Sequence, residues 1–372
     1  MPTLPFFPWS KFDKKYDHTN FSLLPIELNT QAPQEIAGNW DDIKKIISVY
    51  QDKSNRQVKS ASILFLKNTP ITSDFDEEKI TEIFVYREIV TISALSKRTY
   101  FEHWNYYSSD NLKLIVQRFQ IPVSSPAVVT RRRDGNLTQG FSPGVFKERM
   151  PTHVSPADKV TLDNDFILAL LKVYEAGGDF WGDIYDSIQN FNLANTDSGD
   201  FRAQIELVLT VGALERLFGL IQGKEEALAN AVVQALNLLP EAKNLPETKT
   251  LKQEVSKCTS VREAWVRDMF RLRNRYAHGR NQTKYDYSWS AQEHLLLLSF
   301  IFPILVKITL QAKSFYTFTD NDQRALFTFD YLVNLNGTLR PKPNDQHSFV
   351  WNESVSKAHW DYLSTKKRGK SP

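Results

Sequence analysis

The residues best suited to chemistry lie in VREAWVRDMFRLRNRYAHGR, residues 261–280. Wound as a helix at about 100° per residue, this segment carries two stripes. Trp265, Met269, Leu272 and Tyr276 follow spacings of four, three and four and form an apolar face directed at a core. Arg267, Arg271, Asn274 and His278 repeat that spacing on roughly the opposite side. A guanidinium fork suits a phosphate. An imidazole gives or takes a proton near neutral pH, and an amide orients an imidazole or a ribose hydroxyl. Such a line of side chains can bind a phosphodiester and move protons around it. Gly279 supplies a helix stop that leaves His278 near an accessible helix end. The competing reading is a solvated basic face whose histidine sits well against the helix dipole.

Arg273-Asn274-Arg275-Tyr276-Ala277-His278 matches the Arg-x4–6-His motif of the HEPN superfamily, in its form Arg-Asn-x3-His. His278-Gly279 resembles the ending of that motif in the Apea-like HEPN group. Upstream, Ala213-Leu214-Glu215-Arg216-Leu217-Phe218-Gly219 resembles the Ala-Leu-Glu helix segment of the same group. The resemblance covers residues 160–335, including the order of the two motifs and the apolar helix that follows the histidine.

The resemblance implies a homodimer of helical bundles whose motif helices line a shared cleft, and in many members it implies endoribonuclease activity. Carried over, Arg273 and His278 are the motif pair and Asn274 the adjacent polar residue. Arg271 and Arg267 are phosphate-binding or supporting residues. Glu215 either anchors one of the arginines or makes a surface ion pair or cap contact. Arg273 lies about 140° from His278 on an ideal helix, whereas Arg271 shares the His278 face. The family pattern favours Arg273 and helix geometry favours Arg271.

The implied reaction is attack of a ribose 2′-hydroxyl on its own 3′-phosphate. His278 would move the proton and an arginine would stabilise the phosphorane oxygens. The products would be a 2′,3′-cyclic phosphate and a 5′-hydroxyl, and DNA would be inert. Two alternatives stand beside this one. The first is a non-catalytic HEPN module that dimerises or binds RNA. The second is the target of a separate nucleotidyltransferase, for which the family's extended His-x-Tyr form is absent, because Gly279-Arg280 follows His278.

Other chemistries find less support. No metal or other cofactor is expected. The histidines at 18, 103, 153, 278, 294, 347 and 359 are scattered, with no HExxH or Cys/His cluster. The lone Cys258 reads as inert. There is no GxxxxGK[ST] phosphate loop. Gly140-Phe141-Ser142-Pro143-Gly144 has the spacing of a nucleophile elbow, but Pro143 lacks the N–H that an oxyanion hole needs. Arg131-Arg132-Arg133 reads as a solvated basic turn, with contact to RNA as the other reading.

The elements that must position these residues suggest an α+β protein of two domains. The chain has 372 residues, 41% hydrophobic, with a formal net charge of +3, too small to diagnose a nucleic-acid binder from bulk charge. Residues 1–155 read as a mostly-β sensor or targeting domain, with strands in 61–68, 81–95 and 113–123 and a helix near 40–50. A proline-bearing strap, 141–158, leads to an all-α helical bundle over 160–335. Helices are expected at 163–178, 200–223, 225–239, 248–257, 260–278, 290–312 and 321–334. Residues 336–372 read as a polar basic tail, disordered or assisting RNA binding. The N-terminal segment lacks the marks of a signal peptide. The run Leu295–Val306 is too short to cross a bilayer and reads as a core or dimer helix. The expectation is a soluble cytoplasmic protein in anti-phage defence or a toxin-like stress response. Its expected partners are RNA, a second copy of itself and a phage-derived or cellular trigger, with no membrane.

Overall fold

The computed structural model describes residues 2–70, 73–101, 106–118, 127–131, 137–141, 147–150, 156–220, 223–237, 249–252, 255–278, 286–336, 339 and 349–368. The fold is α+β, a strand-rich N-terminal region followed by a mostly helical one. The chain divides into two compact units. One comprises Met1–Arg98, Asn105–Leu162 and Thr196–Gly199; the other comprises Thr99–Trp104, Asp163–Asn195 and Asp200–Pro372.

The first unit holds β1 (Thr3–Phe7), β2 (Ser10–Phe12), β3 (Tyr16–Asp17), β4 (Phe21–Glu27), helix α1 (Trp40–Ile47), β5 (Tyr50–Gln51), β6 (Ser60–Leu66), helix α2 (Glu77–Leu95), β7 (Ile115–Arg118), β8 (Ala127–Arg131), β9 (Leu137–Phe141), β10 (Glu148–Arg149) and β11 (Ala157–Val160). An antiparallel five-stranded sheet runs in the order β3-β4-β6-β1-β7. Strand β1 is buried along its whole length, which explains its nearly unbroken apolar sequence. Its Phe6 meets Tyr50 edge to face at 5.1 Å, and the Trp9 indole donates to the Gln51 carbonyl at 3.0 Å. Ile43, Ile46 and Ile47 of α1 enter the same core, as their helical spacing suggests.

Strands expected within 61–68 and 113–123 correspond to β6 and β7, although residues 119–123 lie outside the described residues. The strand expected at 81–95 is instead the body of α2. Asp76 caps this helix by accepting from the Lys79 N–H at 2.9 Å, and Glu77 and Glu78 oppose the dipole in the first turn. From Glu88 to Leu95 every residue is buried, so β-branched side chains pack all round the helix rather than alternating. Tyr86 stacks on Phe21 of β4 at 4.8 Å.

The second unit contains α3 (Asn164–Ala176), α4 (Gly178–Ala194), α5 (Ala203–Leu217), α6 (Glu225–Leu236), α7 (Val261–His278), α8 (Ala291–Ala312), α9 (Asp320–Val333) and α10 (Phe349–Arg368). Five of the seven helices expected in the bundle fall where the sequence places them, with ends shifted by a few residues. The helix expected over 200–223 stops at Leu217. No described residue of 248–257 is helical: Asn336 Oδ1 takes the Thr250 N–H and Ser288 Oγ takes the Lys252 N–H. These side-chain acceptors supply what helical carbonyls otherwise would. Two helices were not anticipated. One is α4, which begins at Gly178. The other is α10, a 20-residue helix inside the segment expected to be a polar tail. It buries Ala358 and Tyr362 against Phe327 and Tyr331 of α9.

Helix α8 opens on a capping box between Ser290 and Glu293. Among the described residues it is the one helix long and apolar enough to cross a membrane, and most of that stretch is buried inside the unit. Its Phe302 stacks on Phe191 of α4 at 4.1 Å. Its Lys307 is buried between the carboxylates of Asp163 and Asp322, at 2.7 and 2.6 Å. A buried ammonium with two charge-assisted partners ties the starts of α3 and α9 to the middle of α8.

Candidate functional site

Helix α7 begins where Ser260 Oγ accepts the Glu263 N–H at 3.1 Å, while Glu263 reaches back to the Thr259 N–H at 2.9 Å. Hydrogen bonds from Thr259, opposed by burial and reinforced by Arg267, hold the Glu263 carboxyl below the usual carboxylate range. The helix packs against α5, α6, α8 and α9. Trp265, Met269 and Leu272 are buried and Tyr276 is half-buried, so the apolar stripe faces the core as its spacing requires.

Two buried charged contacts fix the axis of α7. Arg262 donates through Nε to Asp330 Oδ1 on α9 at 2.7 Å and through a second nitrogen to Oδ2, with both side chains almost fully buried. Asp268 accepts from the Ser288 and Trp289 N–H groups at 3.3 and 3.2 Å and lies 3.1 Å from His294 Nε2. It therefore ties the chain that follows α7 back onto that helix. His294 is fully enclosed.

The end of α5 positions the motif arginine. Gly219 adopts φ +64°, the Leu220 N–H bonds to the Glu215 carbonyl at 2.8 Å, and the Gly219 N–H bonds to the Arg216 carbonyl at 3.0 Å. This Schellman pattern reverses the chain just after Glu215. Gly223 then comes so close to Glu215 that an added Cβ would fall 1.7 Å from Oε1. The other carboxylate oxygen accepts a hydrogen bond from Arg273 on α7, and the pair is mostly buried. Arg273 also donates to Asn274 Oδ1 at 2.9 Å and lies over the Phe270 ring at 5.2 Å. Arg273 Nε and Glu215 Oε1 are buried without hydrogen-bond partners among the described residues.

The second stripe is arranged differently. Arg271 bonds to Glu225 at the start of α6 through Nε at 2.9 and 3.0 Å and through a terminal nitrogen at 2.6 Å. Arg267 shares Glu225 at 3.3 Å and bonds to Glu263 at 2.8 Å. Both arginines are thus neutralised by carboxylates, Glu225 on α6 and, for Arg267, also Glu263 on α7. His278 ends α7, exposed, with no hydrogen-bond partner among the described residues. The structure brings Glu215, Arg273 and Asn274 together. It does not bring His278 into contact with Arg273 or Arg271 within one chain.

Sequence reading missed Glu225, Gly223 and Phe270. Glu225 shows only as an acidic residue in a first helical turn, a common placement. Nothing local signals its partners 42 and 46 residues away. Cys258 is half-buried, and burial pushes its thiol above the usual value, in keeping with an inert role. His18 is buried and His359 sits beside Arg324, while residues 103, 153 and 347 lie outside the described residues. Among the described residues no group of three or more His, Cys, Asp or Glu side chains is placed to hold a metal ion. Residues 132–133 of the basic turn and 142–144 of the GxSxG string lie outside the described residues. Comparison with protein-family models, with curated proteins and with solved structures finds no match to this chain.

Proposed function

We propose that this chain is a HEPN-type, metal-independent endoribonuclease. It acts as a cytoplasmic homodimer in anti-phage defence or a toxin-like stress response. The observation that carries the reading is the Glu215–Arg273 ion pair. It joins the Ala-Leu-Glu segment to the Arg-Asn-x3-His segment, the two pieces of sequence that resemble the Apea-like group. A guanidinium held by one carboxylate and one amide on a helix face is pre-oriented, and such preorganisation lowers the cost of stabilising charge on a phosphorane.

In this reading Arg273 receives the phosphate oxygens and Asn274 keeps its guanidinium in place. An exposed His278 takes the 2′-hydroxyl proton or gives one to the leaving 5′-oxygen. Because His278 and Arg273 do not meet within one chain, the second subunit's motif helix supplies the complementary residue across the cleft. Arg267 and Arg271 are assigned to bracing α7 against α6 through Glu225 and Glu263, because the resemblance puts the motif arginine at Arg273, which is itself held by Glu215. That same neutralisation is the one observation favouring a non-catalytic HEPN module.

The test is the chemistry of the products. Purified protein with total RNA and tRNA in EDTA should leave 2′,3′-cyclic phosphate and 5′-hydroxyl ends and should leave single-stranded DNA intact. Cleavage of DNA, or 3′-hydroxyl ends on RNA, contradicts the mechanism. Intact RNA under all conditions returns the protein to the non-catalytic reading.

A further inference from the structure

Five arginines stand on α7, and four of them meet carboxylates. Arg262 meets Asp330, Arg267 meets Glu225 and Glu263, Arg271 meets Glu225, and Arg273 meets Glu215. Arg275, half-buried in the last turn, has no carboxylate partner among the described residues. Asp268, two turns back on the same face, accepts instead from the Ser288 and Trp289 N–H groups. Asp286, next to Tyr287 in sequence, pairs with Lys252 at 2.7 Å. The groups that the Arg275 charge reaches are phenols. Burial raises the pKa of the half-buried Tyr287, and the adjoining Arg275 guanidinium pulls it back; the same charge opposes burial at Tyr276. His278 follows Arg275 by three residues, so the two side chains are neighbours on one helix face, with Cβ atoms about 5–6 Å apart. Arg271 shares that face but lies two turns from His278, and Arg273 lies about 140° round the axis. The helix dipole offsets only about half a unit of charge at this end. A net positive charge therefore sits beside the exposed imidazole.

We propose that Arg275 is a second phosphate ligand of the cleavage site, holding the backbone phosphate next to the scissile one beside His278 of its own chain. An arginine already paired must exchange a carboxylate for a phosphate, whereas Arg275 has a neutral phenol to exchange. Arg273 takes the scissile phosphate in the proposed mechanism, so Arg275 takes its neighbour, whose charge does not change in the reaction. Its contribution is therefore to binding, and it should appear in KM where that of Arg273 appears in kcat. The competing role is a brace, in which Arg275 ties the chain leading into α8 to α7 through Tyr287. A brace shows in stability and not in salt dependence. The proposal rests on the reading that RNA is the substrate, but its first readout is binding rather than cleavage.

The experiment uses the full chain carrying His278→Ala, so that RNA stays intact. The probe is a fluorescent oligouridylate of about twelve nucleotides, within the span of common single-strand sites, titrated between about 50 and 200 mM salt. Adding Arg275→Ala should lower the slope of log affinity against log salt by about 0.7, the loss of one phosphate contact on a single strand. Affinity should fall about tenfold. Arg275→Gln, which keeps a polar group near Tyr287 without the charge, should lose as much, and Arg275→Lys should keep the slope. In the chain that retains His278, Arg275→Ala should raise KM about tenfold with kcat little changed. A slope and affinity equal to the parent's in Arg275→Ala or Arg275→Gln would overturn the proposal. A lowered melting temperature beside an unchanged slope would also overturn it, leaving Arg275 as a brace. A slope that depends on Arg275 while wild-type protein cuts no RNA would sink the nuclease reading and leave the phosphate site standing. Cleavage whose KM, with the binding slope, is untouched by Arg275→Ala would do the reverse.

Discussion

Glu215, in the last turn of α5, holds the guanidinium of Arg273, which lies 58 residues further along the chain on α7. The sequence left two arginines in competition for the phosphate, and each is held by a glutamate, Arg273 by Glu215 and Arg271 by Glu225. Arg271 lies on the His278 face but is bound by Glu225. Arg273 lies off that face, anchored on one side, with Asn274 and Phe270 fixing its plane.

With Arg273 as the proposed phosphate ligand, the two arginines should respond differently to removal. Arg273→Ala is expected to lower kcat for RNA cleavage by about 100- to 1,000-fold, the usual cost of losing one preorganised donor to a developing oxyanion. Arg271→Ala should cost stability, about 1 kcal/mol, with kcat nearly unchanged. Single-turnover cleavage beside urea unfolding separates the two effects. A larger kcat loss for Arg271→Ala would reverse the assignment.

Gly223 gives a second handle on the same contact. Its added Cβ would occupy the place of Glu215 Oε1. The flexible end of the glutamate is what gives way, so Gly223→Ala should push the carboxylate off Arg273. The expected result is a fall in cleavage with a stability loss of about 1.5–3 kcal/mol, the range for a hydrogen bond to a charged group. If Gly223→Ala cleaves like wild type, Glu215 does not position Arg273 for catalysis.

The Arg262–Asp330 pair lies far more deeply buried than the motif residues. Asp330→Ala leaves a guanidinium without its carboxylate in the core and should destabilise the protein by about 3–5 kcal/mol. Replacing both residues, Arg262→Met with Asp330→Leu, should recover most of that loss. Urea denaturation followed by circular dichroism measures both. An equally severe loss in the double variant would mean that the pair does more than satisfy itself.

The Lys307 cluster should set part of the acid stability. Burial raises the Asp322 pKa, but the charge and hydrogen bond of Lys307, with the Thr319 donors, outweigh it and hold the carboxyl below its ordinary 3.8. A carboxylate depressed on folding contributes stability that is complete above its unfolded pKa and is lost as pH falls through the folded value. The Tm should therefore decline as pH drops below about 4. In Lys307→Met burial is no longer opposed by the ammonium, so the protein should be less stable at neutral pH and the part of the acid decline due to Asp322 should shrink or reverse. Identical Tm-against-pH curves would remove Lys307 from this role.

Much of the helical unit was legible because its signals are local. Ser290 with Glu293, Asp163 before α3 and the glycines after α3 mark helix ends by backbone chemistry alone, whereas the Gly219 stop after α5 was read through to Gly223. Helix α2 was not legible because burial on all sides erased the period that separates helix from strand, leaving β-branched composition to mislead. Its Asp76 cap and the Glu77-Glu78 first turn were the available correction. Helix α4 was hidden by Gly178 and Gly182 in its opening turns, and α10 by polar composition whose buried face, Trp351, Ala358 and Tyr362, is widely spaced. At the candidate site, residue types and helical phase singled out Arg267, Arg271, Asn274 and His278, and the resemblance to the HEPN motif added Arg273. Which carboxylate meets which arginine depends on how α5 and α6 pack on α7, and no single segment encodes that.

The most direct measurement is the rate of RNA cleavage by purified His278→Ala beside wild type, in EDTA, with circular dichroism confirming equal folding. His278 is exposed at the end of α7 with no hydrogen-bond partner among the described residues, so the substitution should leave the fold intact. The proposed mechanism requires a loss of about 100- to 10,000-fold, the contribution of a positioned acid or base. Cleavage that survives His278→Ala at the wild-type rate would contradict the site.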